Sequence, residues 1–194
     1  MKYNLTEIID LIKERRTVFP EKYKSRKVHK EQIEKMLDAA IWAPNHGMTE
    51  PWRFVVFNGE SLQQLMKMIA DLYKHNTPEE QFLESKYQQF INRANSSSYV
   101  IAACMKRQES EKLPEWEEIV AVGCAVQNMM LVATAYGIGT FWSTPKFIND
   151  PKLKNLLSLN DKDKCMGLIY VGYPEDELPK GKRSIIYNKV EWRE

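Results

Sequence analysis

The sequence predicts an α+β domain in which helices pack against a sheet. Helical segments outnumber apolar strand segments, and their order along the chain is not a repeating strand–helix–strand pattern. The length of 194 residues suits one domain and is long enough to bury a core. We therefore interpret residues 1–194 as a single domain, with a helical excursion at about residues 61–95 and a C-terminal arm at about residues 175–194.

A long apolar helix near the middle of the chain organises the other elements. Pro114 and three glutamates open it, which suits the positive end of a helix dipole, and residues 119–136 are almost wholly apolar. Such a helix has no solvent face, so we expect it to be buried on all sides. Its length approaches the ~20 residues of a membrane span, but Gln127 and Asn128 near its middle favour a core helix. Gly123 would let another backbone come close, and we expect a second subunit to cover one side.

Amphipathic helices precede this segment. The first has Thr6 as its expected N-cap and buries an aliphatic stripe, formed by Ile8, Ile9, Leu11 and Ile12. Pro20 blocks its continuation. Further helices are predicted at residues 30–42, 61–74 and 79–92, with a loop rich in Pro, Asn and Gly at residues 43–52.

Four apolar segments are predicted strands. They cover residues 53–57, 99–105, 138–142 and 165–173. Pro151 begins a short helix before the last of them. Residues 185–187 are a candidate edge strand, either on this chain or on a partner.

Charge and cysteine usage narrow the class of protein. The chain has 28 basic and 26 acidic residues, a net charge of +2 that is too balanced to indicate nucleic acid or a membrane surface as partner. Cys104, Cys124 and Cys165 lie in separate apolar runs and are interpreted as reduced core thiols of a cytoplasmic protein. No basic-then-apolar leader opens the chain, which argues against secretion.

Common catalytic motifs are absent from the sequence. No glycine-rich turn follows a strand, the three histidines lack metal-ligand spacing, and no serine lies in a nucleophile elbow. We therefore expect no metal and no catalytic side chain, which favours a cofactor that carries its own reactivity.

The run Arg15-Arg16-Thr17 is the first of three candidate binding sites. It offers two guanidiniums and a hydroxyl, which suit a phosphate monoester or the polar edge of a ring. The alternative is a positive helix C-terminus with solvated arginines.

Two further stretches are candidates on weaker grounds. His46, in the loop at residues 44–51, could stack on a ring or donate to it, or could have no ligand. Trp142-Ser143-Thr144 places backbone amides and two hydroxyls beside an indole, although a core tryptophan at the end of a strand would give the same pattern.

The chain carries a set of short motifs in a defined order. Arg15-Arg16-Thr17 ends the first helix, and Ala43-Pro44 precedes Pro51-Trp52-Arg53-Phe54. The apolar helix with Gly123 then leads to Gly137-Ile138-Gly139, and Arg183 precedes Trp192. The set resembles the FMN-dependent nitroreductase family over nearly the whole chain. The run Pro114-Glu115-Trp116-Glu117 with Gly123-Cys124-Ala125 is similar to a compact subgroup of small NAD(P)H nitroreductases.

The resemblance implies an architecture and a site. It implies a nitroreductase-like α+β fold with a central, mostly antiparallel sheet flanked by helices, in an intertwined homodimer that holds FMN at two interface sites. Three residues would hold the FMN phosphate, ribityl chain or pyrimidine edge: Arg15, Arg16 and Thr17. Others would reach the flavin from the other subunit: Trp42, Asn45 and His46. The isoalloxazine would be lined by Trp142, Ser143 and Thr144, and Arg183 would contact the phosphate.

The resemblance also implies a redox activity. NAD(P)H would pass a hydride to N5 of FMN, and a nitroaromatic, quinone or related small-molecule acceptor would then take the electrons. Alternatives on the same fold are ene reduction, dehalogenation and flavin-consuming chemistry. A flavin-binding or flavin-delivery protein without reductase turnover is the alternative from another class.

Three positions depart from the pattern that the resemblance implies. Phe19 stands where many members carry a basic residue, Met48 where many carry Asn, and Glu50 where many carry Gln. We therefore expect the pyrimidine side of the flavin to be held less tightly or through different atoms.

Overall fold

A four-stranded antiparallel sheet lies at the centre of the fold, in a computed structural model that describes residues 3–194. Its strands are β1 (Trp52–Phe57), β2 (Tyr99–Met105), β3 (Gly139–Ser143) and β4 (Lys164–Gly172). Their order across the sheet is β1-β2-β4-β3, and every pairing is antiparallel. The predicted α+β class is confirmed. Strand β3 is an edge strand, and an isolated parallel bridge from Thr17 to Thr140 lies on its free edge.

Helices cover both faces of this sheet. The described residues form α1 (Leu5–Glu14), α2 (Lys30–Ala40), α3 (Gly59–His75), α4 (Glu84–Ser96), α5 (Glu115–Ala135) and α6 (Pro151–Leu156). One apolar cluster joins α3, α4 and α6 to the sheet, and a second joins α2 and α5 to its other face. Strand β2 contributes alternate residues to the two clusters, which explains why nearly all of it is apolar.

Several ends of elements differ from the predicted ones. Asn4, and not Thr6, caps α1, because its Oδ1 accepts a hydrogen bond from the backbone N–H of Thr6 at 3.1 Å. Helix α4 begins at Glu84 rather than residue 79, since a separate 3₁₀ turn occupies Glu79–Gln81. The candidate edge strand at residues 185–187 is not a strand in this chain, where Ile186–Lys189 forms a 3₁₀ helix.

Two predicted buried faces are exposed in the protomer. No residue of α1 is buried, and Ile8, Ile9 and Ile12 are open to solvent. On α5, Trp116 is 61% exposed and Val120 is 53% exposed. The prediction that α5 is buried on all sides is therefore wrong for one protomer, because the sheet and α2 cover only part of its circumference.

Helix α5 is the one helix among residues 3–194 that is long and apolar enough to cross a membrane. The core helix of a globular protein passes the same test, and the buried residues of α5 pack in the second cluster against β2, β4 and α2. The close backbone approach expected at Gly123 is not made within the protomer, where a Cβ at this position would meet no atom within 4 Å.

The three cysteines are free thiols. Cys104 and Cys165 are buried and face each other across β2 and β4, whereas Cys124 on α5 is half-buried. The thiol of Cys104 donates a hydrogen bond to Cys165, and this bond, together with burial, raises the pKa of Cys104. The interpretation as core thiols thus fits two of the three.

Candidate functional site

The run Arg15-Arg16-Thr17 leaves α1 and joins the free edge of β3. The backbone N–H of Val18 donates to the carbonyl oxygen of Thr140 at 2.9 Å. This approach requires a glycine, because a Cβ on Gly139 would lie 2.9 Å from the Cβ of Val18. The edge strand therefore brings Thr17 close to the strand that carries Trp142.

Basic side chains from α1 and from the C-terminal arm converge on one cleft of about 650 Å³, which we call the arginine cleft. Its basic residues outnumber its two acidic ones, and they are Lys13, Arg15, Arg16, Lys180 and Arg183. Burial, followed by the charges of Arg183 and Arg16, lowers the pKa of Arg15. The Arg15 side chain donates no hydrogen bond within residues 3–194. A half-buried guanidinium without an acceptor, beside other cations, fits an anionic ligand.

Arg16 differs from Arg15 because its guanidinium is already bonded to the backbone. Its Nε donates to the carbonyl oxygen of Pro179 at 3.1 Å, and its Nη1 donates to the carbonyl oxygens of Arg15, at 2.7 Å, and of Lys13. A Cβ on Gly181 would lie 2.4 Å from Arg16 Nη2. Arg16 thus fastens the C-terminal arm to the end of α1. Among the described residues, the Arg15 side chain has no such acceptor, and the other cations of the cleft are Lys13, Lys180 and Arg183.

Trp142 is the second-last residue of β3, and its ring N–H is already hydrogen-bonded. Its Nε1 donates to the carbonyl oxygen of Met166 at 2.9 Å, and the indole lies over Gly167, where a Cβ would be only 2.1 Å from Nε1. The hydroxyls of Ser143 and Thr144 make no hydrogen bond within the part of the chain that the structure describes. A ligand at this edge could therefore meet two free hydroxyls and the face of the indole.

The loop after α2 carries the remaining predicted residues. Trp42 is 80% exposed. Asn45 Oδ1 accepts from the backbone N–H of Glu50 at 3.1 Å and closes the loop. His46 Nδ1 lies 2.6 Å from Glu117 Oε2, at the start of α5.

The backbone of this loop adopts positive φ at three positions. They are Gly47 at 61°, Met48 at 50° and Glu50 at 44°. A positive φ is unfavourable for residues with a side chain, so this backbone conformation is strained at Met48 and Glu50 but not at Gly47. These are also two of the positions that depart from the family pattern, and Met48 is 87% exposed. The third, Phe19, packs its ring on Phe141 with centroids 4.8 Å apart.

Within one chain, the pair of His46 and Glu117 lies apart from the arginine cleft. Glu117, the partner of His46, lies in the first turn of α5, whereas Gln127, which lines the arginine cleft, is ten positions further along. Ten residues of α-helix span about 15 Å. His46 is thus remote from the cations of the arginine cleft within a single chain.

Sequence reasoning missed the ion-pair partners of the first turn of α5. Glu115 pairs with Lys164 at 2.5 Å, Glu117 with His46 at 2.6 Å, and Glu118 with Arg107 at 2.5 Å. Glu117 and His46 are 71 residues apart in sequence, so no local motif joins them. The cluster of carboxylates was the only signal, and a helix dipole accounts for it equally well.

Comparisons of the sequence and of the structure with known proteins indicate the same family. The Nitroreductase family model matches residues 12–173. A candidate NAD(P)H nitroreductase from Bacillus subtilis is 31% identical over 175 residues, covering 90% of this chain and 87% of the relative. The crystal structure of a nitroreductase-like family protein from Bacillus cereus covers 100% of both chains, with a TM-score of 0.81 and 25% identity. A candidate nitroreductase from Desulfovibrio desulfuricans, in complex with FMN, covers 99% of both, with a TM-score of 0.71 and 22% identity. The chain described here belongs to the nitroreductase family.

Proposed function

We propose that this protein is an FMN-dependent oxidoreductase that uses NAD(P)H to reduce a nitroaromatic, a quinone or a related small acceptor. The observation that carries the proposal is the arginine cleft, where Arg15 is half-buried among cations and has no acceptor of its own. The phosphate monoester of FMN supplies the anion that such a cleft needs. The FMN in the related Desulfovibrio structure and the NAD(P)H in the name of the Bacillus subtilis relative also support it.

The side chains have distinct roles in this proposal. Arg15 and Arg183 hold the phosphate, and Arg16 keeps the arm in place so that Arg183 reaches it. Thr17, Ser143 and Thr144 offer hydroxyls to the ribityl chain or the ring edge, at the free edge of β3. Bound FMN supplies the hydride chemistry at its N5 atom, and the protein supplies binding, orientation and electrostatics.

A homodimer is part of the same proposal. The protomer exposes the aliphatic face of α1, the open side of α5 and the loop residue Trp42. Its C-terminal arm adds further exposed apolar side chains, namely Ile185, Ile186, Tyr187 and Trp192. Exposed apolar surface of this extent marks an interface. In the dimer, Trp42, Asn45 and His46 approach the flavin held by the arginine cleft of the other subunit. The free thiols support a cytoplasmic location.

The variant Gly123→Leu tests this dimer without disturbing the protomer. A Cβ at this position meets nothing within 4 Å in one chain, so leucine fits the protomer and raises helix propensity. We expect the variant to be a folded monomer in sedimentation, with weakened FMN binding. Cys124, half-buried on the same helix, should react with a maleimide faster in the variant than in the wild type. A Gly123→Leu protein that stays dimeric and loaded with flavin would place the interface elsewhere.

The visible spectrum tests the redox function. We expect purified protein reconstituted with FMN to show flavin absorption that bleaches on anaerobic addition of NADH or NADPH and returns with a nitroaromatic or a quinone. A flavin-binding or delivery protein would bind FMN and show no bleaching at a catalytic rate. A screen of acceptors would separate nitro and quinone reduction from ene reduction and dehalogenation. Protein that takes up no FMN would refute the proposal.

A further inference from the structure

His46 and Glu117 form a direct contact that the proposed roles of the flavin-site residues do not explain. His46 Nδ1 and Glu117 Oε2 are 2.6 Å apart, although the two residues lie 71 positions apart in the chain. His46 is 62% exposed at its side chain and Glu117 is 23% exposed. The carboxylate is therefore the sheltered member of the pair, and the imidazole extends from it toward the surface.

The first turn of α5 fixes the position of the carboxylate. Glu117 lies at the N-terminal end of this helix, where acidic side chains suit the helix dipole. Lys164 and Arg107 pair with the neighbouring Glu115 and Glu118. Within residues 3–194, the ion-pair partner of Glu117 is His46. An ionised carboxylate can only accept a hydrogen bond, and the proton between the two groups therefore belongs to Nδ1 of His46.

The loop holds the histidine from the other side. The carbonyl oxygen of His46 accepts from the backbone N–H of Thr49 at 3.4 Å, and Asn45 Oδ1 closes the loop on Glu50. Gly47 lies against Leu113, whose Cδ1 would be 3.4 Å from a Cβ on the glycine. His46 thus has a fixed backbone as well as a fixed Nδ1. Its Nε2 has no partner within residues 3–194.

We propose that Glu117 is a positioning residue that holds His46 as the Nδ1–H tautomer and makes Nε2 its ligand-facing atom. In neutral His46, Nε2 is then a hydrogen-bond acceptor, so the matching ligand group is an N–H or O–H donor and not a nitro oxygen. The assignment of flavin or its acceptor as that ligand rests on the proposed function, whereas the tautomer does not.

Nitrogen NMR of protein labelled at histidine tests the proposal directly. The chain has three histidines, so the His46→Gln variant assigns the signal of His46. Spectra are recorded on the flavin-free protein at a pH where a free imidazole is neutral. We expect wild-type His46 to carry its proton on Nδ1. In Glu117→Ala the Nε2–H form, which a free imidazole favours, should become the major one. Glu115→Ala removes an equivalent carboxylate from the same helix turn and should leave His46 unchanged.

The outcomes separate this inference from the proposed function. Wild-type His46 with its proton mainly on Nε2, or a Glu117→Ala variant with the wild-type tautomer, would overturn the positioning role. Addition of FMN to the wild type should move the Nε2 resonance, and the same addition to Gly123→Leu monomer should not. An Nδ1–H tautomer that FMN leaves unmoved would keep Glu117 as the positioning residue and count against the place of His46 in the flavin site.

Discussion

Replacement of Arg15 by methionine should weaken FMN binding without destabilising the apo protein. Methionine keeps an apolar stem of similar length and removes the guanidinium. In the apo protein this charge is half-buried, has no hydrogen-bond acceptor within residues 3–194, and its pKa is lowered by burial and by Arg183 and Arg16. The folded state therefore bears a cost for Arg15 that only an anion relieves.

The size of the effect follows from the lost contact. A hydrogen bond to a charged group contributes about 1.5–3 kcal/mol, and about 1.4 kcal/mol corresponds to a tenfold change in affinity. The Kd for FMN should therefore rise by about tenfold to a hundredfold. Arg15 is already desolvated and already repelled by Arg183 and Arg16 in the absence of ligand. FMN binding therefore adds little further desolvation cost for this charge. We expect the apo melting temperature to stay the same or to rise slightly.

Quenching of flavin fluorescence measures the affinity, and riboflavin is the matched ligand because it lacks the phosphate. Arg15→Met should bind riboflavin as the wild type does. Lys30→Met is the matched protein control, since Lys30 is an exposed cation paired with Glu34 on α2. An equal loss of affinity for FMN and riboflavin would show that Arg15 contacts the ring. Unchanged FMN affinity, or an apo protein that melts several degrees lower, would refute the assignment of an anion site.

Three further predictions concern two glycines that contact site residues and the ion pair of Glu21. Gly181→Ala should displace Arg16 from Pro179 and weaken FMN binding while it removes no charge, as titration of FMN would show. Gly167→Ala, at φ 143°, should lower the free energy of unfolding by about 1–3 kcal/mol because its Cβ would overlap Trp142. Gly59→Ala, at φ 51° with no atom within 4 Å of the added Cβ, has a positive φ without a clash and should cost less in urea titrations. Burial tends to raise the pKa of Glu21, but hydrogen bonds from Arg93 and Gln89 outweigh it and lower that pKa. Stabilisation by Glu21 is thus present above its unfolded pKa and lost as the pH falls through its folded pKa. Glu21→Gln should therefore be about 1 kcal/mol less stable than wild type at pH 7, a value discounted for solvent screening, and equally stable well below pH ~4.

The sequence predicted the elements whose boundaries are set by local chemistry. Strand β2 was predicted at its observed bounds because three consecutive serines precede its apolar run and Lys106 follows it. The start of α4 was misplaced because Pro78 gives the same signal for a 3₁₀ turn as for a helix, and here the Tyr73 hydroxyl accepts from the N–H of Leu83 at the true helix start. Periodicity found the aliphatic stripe of α1 but could not tell whether it packs in the same chain or on another.

The sequence predicted individual residues of the candidate site but not the contacts that distinguish them. Two adjacent arginines look alike in sequence, yet Arg16 is tied to three carbonyl oxygens and Arg15 to none. Two of these oxygens belong to Lys13 and Arg15, but the third belongs to Pro179, more than 160 residues away, and no local pattern encodes that contact. The same reason hid Glu117, whose partner lies on a different element.

The separation of the two groups along α5 links flavin binding to assembly. The arginine cleft lies beside Gln127 and the His46 loop lies at Glu117, about 15 Å apart on one helix. If the loop reaches the flavin from the other subunit, FMN contacts both chains and binds the dimer in preference to the monomer. Thermodynamic linkage then requires FMN to tighten the dimer by the same factor by which dimerisation tightens FMN. The exposed faces of α1 and α5 and the unsatisfied charge of Arg15 are, in this view, two parts of one incomplete structure, and the flavin and the second subunit complete it together.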